Sequence, residues 1–419
     1  MALQHRIRPL RVRLLLLLSI VGPGIITANV DNDAGGITTY SVAGAHYGYT
    51  FLGMLGLVAL ALIIVQEMSA RLGVVTGTGL ADLIRESLGV RATTIIIALV
   101  VFTNLANTVS EFAGVAASLE IFHISKYISV PLAGIGVWVL IVKGNYKTVD
   151  RIFLVASALY LAYVISGVMA RPPWPVVLGA LVTPSFHFDS GWVVVFVTII
   201  GTTIAPWMQF YQQSSIVDKG LKPADYAYER LDVIAGSIFA VLVAGFIVVA
   251  CAATIYKAGL RIESAKDAAL ALGPLAGPYA STLFALGLLN ASVFSAAILP
   301  LSTAYLLCEA FGWEAGVDRK LHEAPIFFGT YTALIVLGAA IILLPIQSLV
   351  QAMMASQTLN GVLLPVILIV MLRLINDKRL MGKYVNGRII NVITWAMVIA
   401  LIILTMILVI TSVFPGLLT

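Results

Sequence analysis

Residues 27–38 read Thr-Ala-Asn-Val-Asp-Asn-Asp-Ala-Gly-Gly-Ile-Thr, setting two carboxylates and two adjacent glycines in the middle of an otherwise apolar stretch. A carboxylate at membrane depth is costly unless it is paired, hydrated or holding a cation. Adjacent glycines weaken a helix and release backbone carbonyls beside Asp31 and Asp33. The chemistry on offer is oxygen ligation of a cation at a break in a transmembrane helix, with Asp33 as its anchor. Asp31 would face away from Asp33 in a regular helix and converges with it only where the helix is unwound.

A second interruption lies at Gly201-Thr-Thr-Ile-Ala-Pro-Trp207. Pro206 has no amide hydrogen and clashes with the preceding turn, so carbonyls near Thr202 and Thr203 lose their helical partners. Read alone, this is a proline kink. Its position says more, because the two interruptions fall in the first and sixth apolar stretches, each opening a set of five. Interrupted helices at matching places in two halves are the mark of a transporter built from inverted repeats, with its site at the midplane between them.

The elements that must position these residues follow from composition. The chain has 419 residues, 60% hydrophobic and 11% charged, with a mean hydropathy of +1.02. Soluble domains carry about 25% charged residues, so the whole chain is expected to be one polytopic membrane domain. A crossing needs about 20 apolar residues, and eleven candidate spans fall near 14–45, 50–72, 93–119, 128–143, 151–170, 192–216, 231–256, 278–309, 325–345, 347–372 and 389–415. With the N-terminus in the cytoplasm, twenty of the 25 lysines and arginines fall in cytoplasmic segments, and only Lys126, Arg171, Lys257, Arg261 and Lys266 lie outside. That asymmetry satisfies the positive-inside rule and places the C-terminus externally. The Arg-rich start followed by a leucine run resembles a secretory signal, but the apolar stretch continues through the break at 29–36 and is read as the first half of span one. Cys251 and Cys308 both lie in apolar segments, as small core residues do. No Ser/His/Asp constellation, HExxH or phosphate loop is present, which argues against an enzyme or a primary pump. The net charge of +5 reflects membrane orientation rather than a nucleic-acid partner.

Several separated motifs, in order, resemble the Nramp family of divalent-metal transporters over spans one to ten. They are Gly22-Pro-Gly24 leading into Asp33-Ala-Gly-Gly36, Gln66-Glu-Met-Ser-Ala-Arg-Leu-Gly73, Thr76-Gly-Thr-Gly-Leu-Ala-Asp-Leu83, and the stretch at 201–207. The resemblance implies an all-α polytopic membrane protein of the LeuT type. It would have eleven transmembrane helices in two inverted five-helix repeats (1–170 and 192–372) with broken helices 1 and 6, plus an extra helix at 389–415. It carries the family aspartate onto Asp33 and, by the family's pattern, backbone carbonyls onto Val30 and Thr202. The departures are as informative. Gly36 replaces the family asparagine, Ala205 the methionine, Trp207 the histidine two residues on, and Gln212 a later histidine. Thr108 and Glu111 stand where the family has an acidic pair, and span nine has no arginine where the family has a basic proton-relay partner.

This set resembles the Nramp-related magnesium transporters. Loss of thioether sulfur removes what a soft transition metal prefers, and Gly36 and Ala205 are expected to widen the cavity. Mg²⁺ sheds water reluctantly and binds through one or two carboxylates while keeping several waters. The expected metal-site residues are thus Asp33, Asp31, Val30, Gly36, Thr202, Ala205 and Trp207, with Gln351 or Gln357 of span ten touching a hydrated ion. Trp207 offers no lone pair to a cation and would serve as a wall or gate. Glu111 is either a remnant of the proton relay or a structural acid. The expected function is uptake of Mg²⁺ and Mn²⁺ through the plasma (inner) membrane by a secondary carrier or facilitator, uncoupled from protons. It would act as a monomer whose partners are the metal ion and the bilayer, with no cofactor. The alternatives are a proton-coupled Mn²⁺/Fe²⁺ symporter of the ordinary family type and a sodium-coupled amino-acid symporter. In the latter a half-helix N-terminus receives the substrate carboxylate, which Asp31 and Asp33 would repel.

Overall fold

The computed structural model describes residues 30–143, 157–187, 189–317 and 319–413, and the described residues contain helices and no strand. The helices are α1 Ala34–Tyr47, α2 Phe51–Thr76, α3 Leu80–Glu120, α4 Lys126–Lys143, α5 Leu161–Met169, α6 Trp174–Val182, α7 Ser190–Thr203, α8 Pro206–Asp218, α9 Tyr226–Cys251, α10 Ala280–Phe311, α11 Pro325–Leu343, α12 Leu349–Ile375 and α13 Arg388–Val413. Nine helical runs among the described residues are long and apolar enough to cross a bilayer, α7 and α8 counting as one. They coincide with nine of the eleven expected spans. The other two are represented by α1 and α5, because residues 14–29, with Gly22-Pro-Gly24, and 144–156 lie outside the described residues.

Two boundaries differ from those expected. α3 begins at Leu80 rather than near 93 and is interrupted at Gly89, whose φ of 77° only glycine adopts without strain. A short apolar helix, α6, was not foreseen; at nine residues it falls well short of the length a span needs.

Both predicted breaks are present. The chain is helical at Val30 and Asp31, turns at Asn32 and Asp33, and resumes as α1. α7 ends at Thr203, and α8 starts at Pro206 after Ile204 and Ala205 leave helical geometry. Helices in equivalent places of the two halves meet pairwise: α3 packs along α10, α2 along α9, and α1 against α7. The α7–α8 run is almost wholly buried, whereas α13 shows Ile389, Val392, Ile399 and Met406 to the surroundings. The core therefore surrounds the broken helices, and the apolar exterior suits lipid.

Close packing brings a third element to the breaks. A Cβ on Gly201 of α7 would lie 1.9 Å from the carbonyl oxygen of Gln357 on α12. Small residues at such crossings let transmembrane backbones touch, and here they carry the middle of α12 to the break.

Candidate metal site

Asp33 is the N-cap of α1, its carboxylate accepting from Gly36 N at 2.6 Å. Glu111 of α3 reaches the same helix end beside Asp33, its Oε2 accepting from Ala34 N at 3.3 Å while Oε1 has no well-formed hydrogen bond among the described residues. Two neighbouring carboxyl groups thus occupy the positive end of a half-helix, where anions are favoured. The negative ends converge opposite. The helical turn at Val30–Asp31 presents its C-terminal carbonyls to the break, and so does α7. The carbonyl of Thr202 lacks its i+4 partner because residue 206 is proline.

These ends meet beside Gly36. Around the point a Gly36 Cβ would occupy, Asp31 O lies 2.6 Å away, Thr202 Oγ1 3.1 Å and Asp33 Oδ1 3.3 Å. Thr202 Oγ1 is buried and has no hydrogen-bond partner among the described residues. This corrects the expectation of a cavity widened at Gly36. The glycine permits three oxygens to crowd its Cα, because the chain folds back on itself between Asp31 and Asp33. Hard oxygens of this kind are the ligands that Mg²⁺ and Ca²⁺ take.

Gln357 of α12 completes the anchor, its Nε2 lying 3.3 Å from Asp33 Oδ2 and 3.5 Å from Oδ1. It gets there because Gly35 has no side chain: a Cβ at that position would sit 2.0 Å from Nε2. Its Oε1 accepts from Asn360 Nδ2 at 2.9 Å, and Asn360 pairs with Asn107 of α3 through bonds of 3.0 and 3.1 Å. The amide chain Asn107–Asn360–Gln357 fixes which end of Gln357 faces Asp33, and so presents a donor to the carboxylate.

The remaining expected residues are placed as follows. Val30 is fully buried immediately before the break. The Asp31 side chain is 2% exposed, and neither oxygen has a hydrogen-bond partner among the described residues. Ala205 caps α8. Its carbonyl is committed to Met208 N and, with the Gln209 amide oriented to donate, to Gln209 as well. Trp207 is buried at the α8–α10 contact, its carbonyl accepting from Ser302 Oγ and its ring beside Tyr211, which fits a wall. Gln351 is exposed and not beside Asp33; of the two glutamines considered on span ten, Gln357 is. Helical periodicity carried that signal: Met353, Gln357, Asn360 and Leu364 share the buried stripe of α12, and Gln351 falls off it. Asn107 and Asn360 were not anticipated at all.

Gln351 instead lines a cavity of about 720 Å³ together with Glu120, Lys126, Glu263, Ser348 and Gln347. The ammonium of Lys126 is held by the carbonyls of Ile342 and Leu344 at 2.9 and 2.7 Å. At the opposite end the bundle is tied. Gln213 Nε2 donates to Thr78 O at 2.8 Å, Ser214 Oγ to Glu309 Oε1 at 2.5 Å, and Tyr305 OH to Asp218 Oδ2 at 2.6 Å. Arg71 joins Glu67 at 3.0 Å and Asn386 at 2.5 Å. On the remaining flank Thr108 donates to Asn104 O at 2.8 Å, and Gly338 of α11 packs against its methyl group.

The sequence profile described as "Natural resistance-associated macrophage protein-like" (Nramp) matches residues 24–411. The chain is similar to the divalent metal cation transporter MntH of Ralstonia nicotianae, 31% identical with 91% of this chain and 88% of the relative covered. It is also similar to MntH of Bacillus subtilis, 24% identical over 94% and 93% of the two chains. Among solved structures, the manganese transporter of Eremococcus coleocola superposes with a TM-score of 0.79 at 21% identity, over 97% of this chain and 88% of that one. Mhp1, a nucleobase-cation-symport-1 family transporter, superposes with a TM-score of 0.60 at 15% identity, over 93% and 89%.

Proposed function

The chain belongs to the Nramp family, and from that premise we propose that it carries Mg²⁺, and Mn²⁺ with it, across the plasma membrane, holding a largely hydrated ion at Asp33 without moving protons. The observation that carries this reading is the convergence of Asp33 Oδ1, Asp31 O and Thr202 Oγ1 beside Gly36, between the carbonyl ends of two interrupted helices. The donor set is hard oxygen, with an alanine where the family has its thioether. Among the described residues no three His, Cys, Asp or Glu side chains form a metal-holding group. An ion at Asp33 would complete its shell with the Asp31 carbonyl, Thr202 Oγ1 and water, the coordination style of Mg²⁺. The end carrying the 720 Å³ cavity is the lysine- and arginine-poor one. Under the positive-inside rule it faces outward, so the ion would enter past Glu120, Glu263 and Gln351.

The test is flux into proteoliposomes with Mg²⁺, Mn²⁺ and Ca²⁺, read with a metal dye outside and a pH dye inside. Mg²⁺ influx without acidification is the expected result. Metal-driven acidification with Mg²⁺ excluded would overturn it in favour of the second reading, a proton-coupled Mn²⁺/Fe²⁺ symporter. One observation favours that alternative: Glu111 adjoins Asp33 at the same helix end and interacts with it side chain to side chain, so a metal arriving at Asp33 would expel a proton held by the pair. Against it stand Thr108 beside Gly338 and the absence of lysine and arginine from α11.

A further inference from the structure

Between the break and the lysine- and arginine-rich end lies a second cluster of polar side chains for which the central site has no use. Glu229, in the first turn of α9, is 0% exposed, and both carboxylate oxygens lack a hydrogen-bond partner among the described residues. Gln212 of α8 lies against it as a weak donor, is also 0% exposed, and has neither amide atom in full hydrogen-bonding geometry with a partner among the described residues. Asp232, 3% exposed, lies three residues along α9 on the face that carries Glu229. The charged groups acting on Glu229 are Asp232 and Lys219, at the end of α8.

Buried polar groups without partners are strongly disfavoured, and a carboxylate opposite an amide too poorly aligned to bond it fully leaves two such penalties in one place. A single divalent cation removes both, since carboxylate and amide oxygens are ligands that Mg²⁺ and Mn²⁺ accept. The position also fits a route. Gln212 lies six residues past Pro206, about 9 Å along α8 at 1.5 Å per residue, between the break and the end of that helix at Asp218.

We propose that Glu229 and Gln212, with Asp232 beside them, form a second divalent-cation station that receives the ion released from Asp33 on its way to the lysine- and arginine-rich end. The proposal rests on the central site at Asp33, and the experiment separates the two. Mn²⁺ bound to the full chain in lipid nanodiscs is counted by electron paramagnetic resonance. Wild type is expected to hold two ions, Asp33→Ala one, Glu229→Gln one and the double variant none. A wild type that holds one ion, or a Glu229→Gln protein with the wild-type count, would overturn the second station. An Asp33→Ala protein that still holds two would instead refute the central site. Because Glu229→Gln could impair folding, Gln212→Glu is read in the Asp33→Ala background as well. An added carboxylate should tighten the remaining Mn²⁺ about tenfold, since ligand charge sets affinity at such sites. Unchanged affinity there would count equally against the station.

Discussion

Asp31 is the residue whose burial is hardest to justify by stability alone. Its carboxylate is 2% exposed, with no hydrogen-bond partner among the described residues. Leaving a buried polar group unsatisfied costs about 1–3 kcal/mol, so Asp31→Asn should stabilise the metal-free protein while weakening Mg²⁺ binding. Thermal unfolding in detergent and a Mg²⁺ titration read the two effects. A lower melting temperature together with unchanged binding would show that the aspartate serves packing. Gly36 makes an opposite case, since any Cβ there must displace Asp31 O from 2.6 Å. Gly36→Asn combined with Ala205→Met is therefore expected to slow Mg²⁺ transport sharply in liposomes. Wild-type flux from that double variant would remove the crowded-oxygen site from the mechanism.

Helices matter here chiefly for where they stop. α7 stops because Pro206 cannot donate to Thr202, and α1 starts where Asp33 supplies a cap. α12, unbroken, brings an ordered amide chain to that gap through its contact with Gly201. Asn360 satisfies both Asn107 and Gln357, so Asn360→Leu strands two buried groups. A loss of about 1–3 kcal/mol per stranded group is expected, read as a lower melting temperature and weaker Mn²⁺ binding at Asp33. If the melting temperature stays at the wild-type value, the chain does not order Gln357.

For the molecule as a whole, the membrane potential is large enough to drive the proposed Mg²⁺ uptake. Two charges crossing 100 mV gain about 4.6 kcal/mol, at about 2.3 kcal/mol per charge. At about 1.36 kcal/mol per tenfold that sustains roughly a thousandfold gradient. Mg²⁺ uptake into liposomes should therefore accelerate when a potassium gradient makes the interior negative, and should be indifferent to an imposed pH gradient. Dependence on the pH gradient alone would point back to Glu111. The cavity lies at one end of the bundle and the Gln213, Ser214 and Asp218 ties at the other.

The amino-acid order by itself determined the membrane class, nine of the eleven expected spans as full-length helices among the described residues, both breaks and the carboxylate of Asp33 at the first of them. Each of those depends on hydropathy, on proline and glycine chemistry, or on a charge placed in an apolar run, all local properties of the chain. Only the tertiary structure decided that Gln357 rather than Gln351 meets Asp33, that Gly36 admits crowding rather than width, and that Glu111 caps α1 beside it. These depend on the rotation and depth at which α3, α7 and α12 pack. That register is set by steric fit between residues far apart in sequence, such as Gly201 against Gln357, and pattern along a single helix does not encode it.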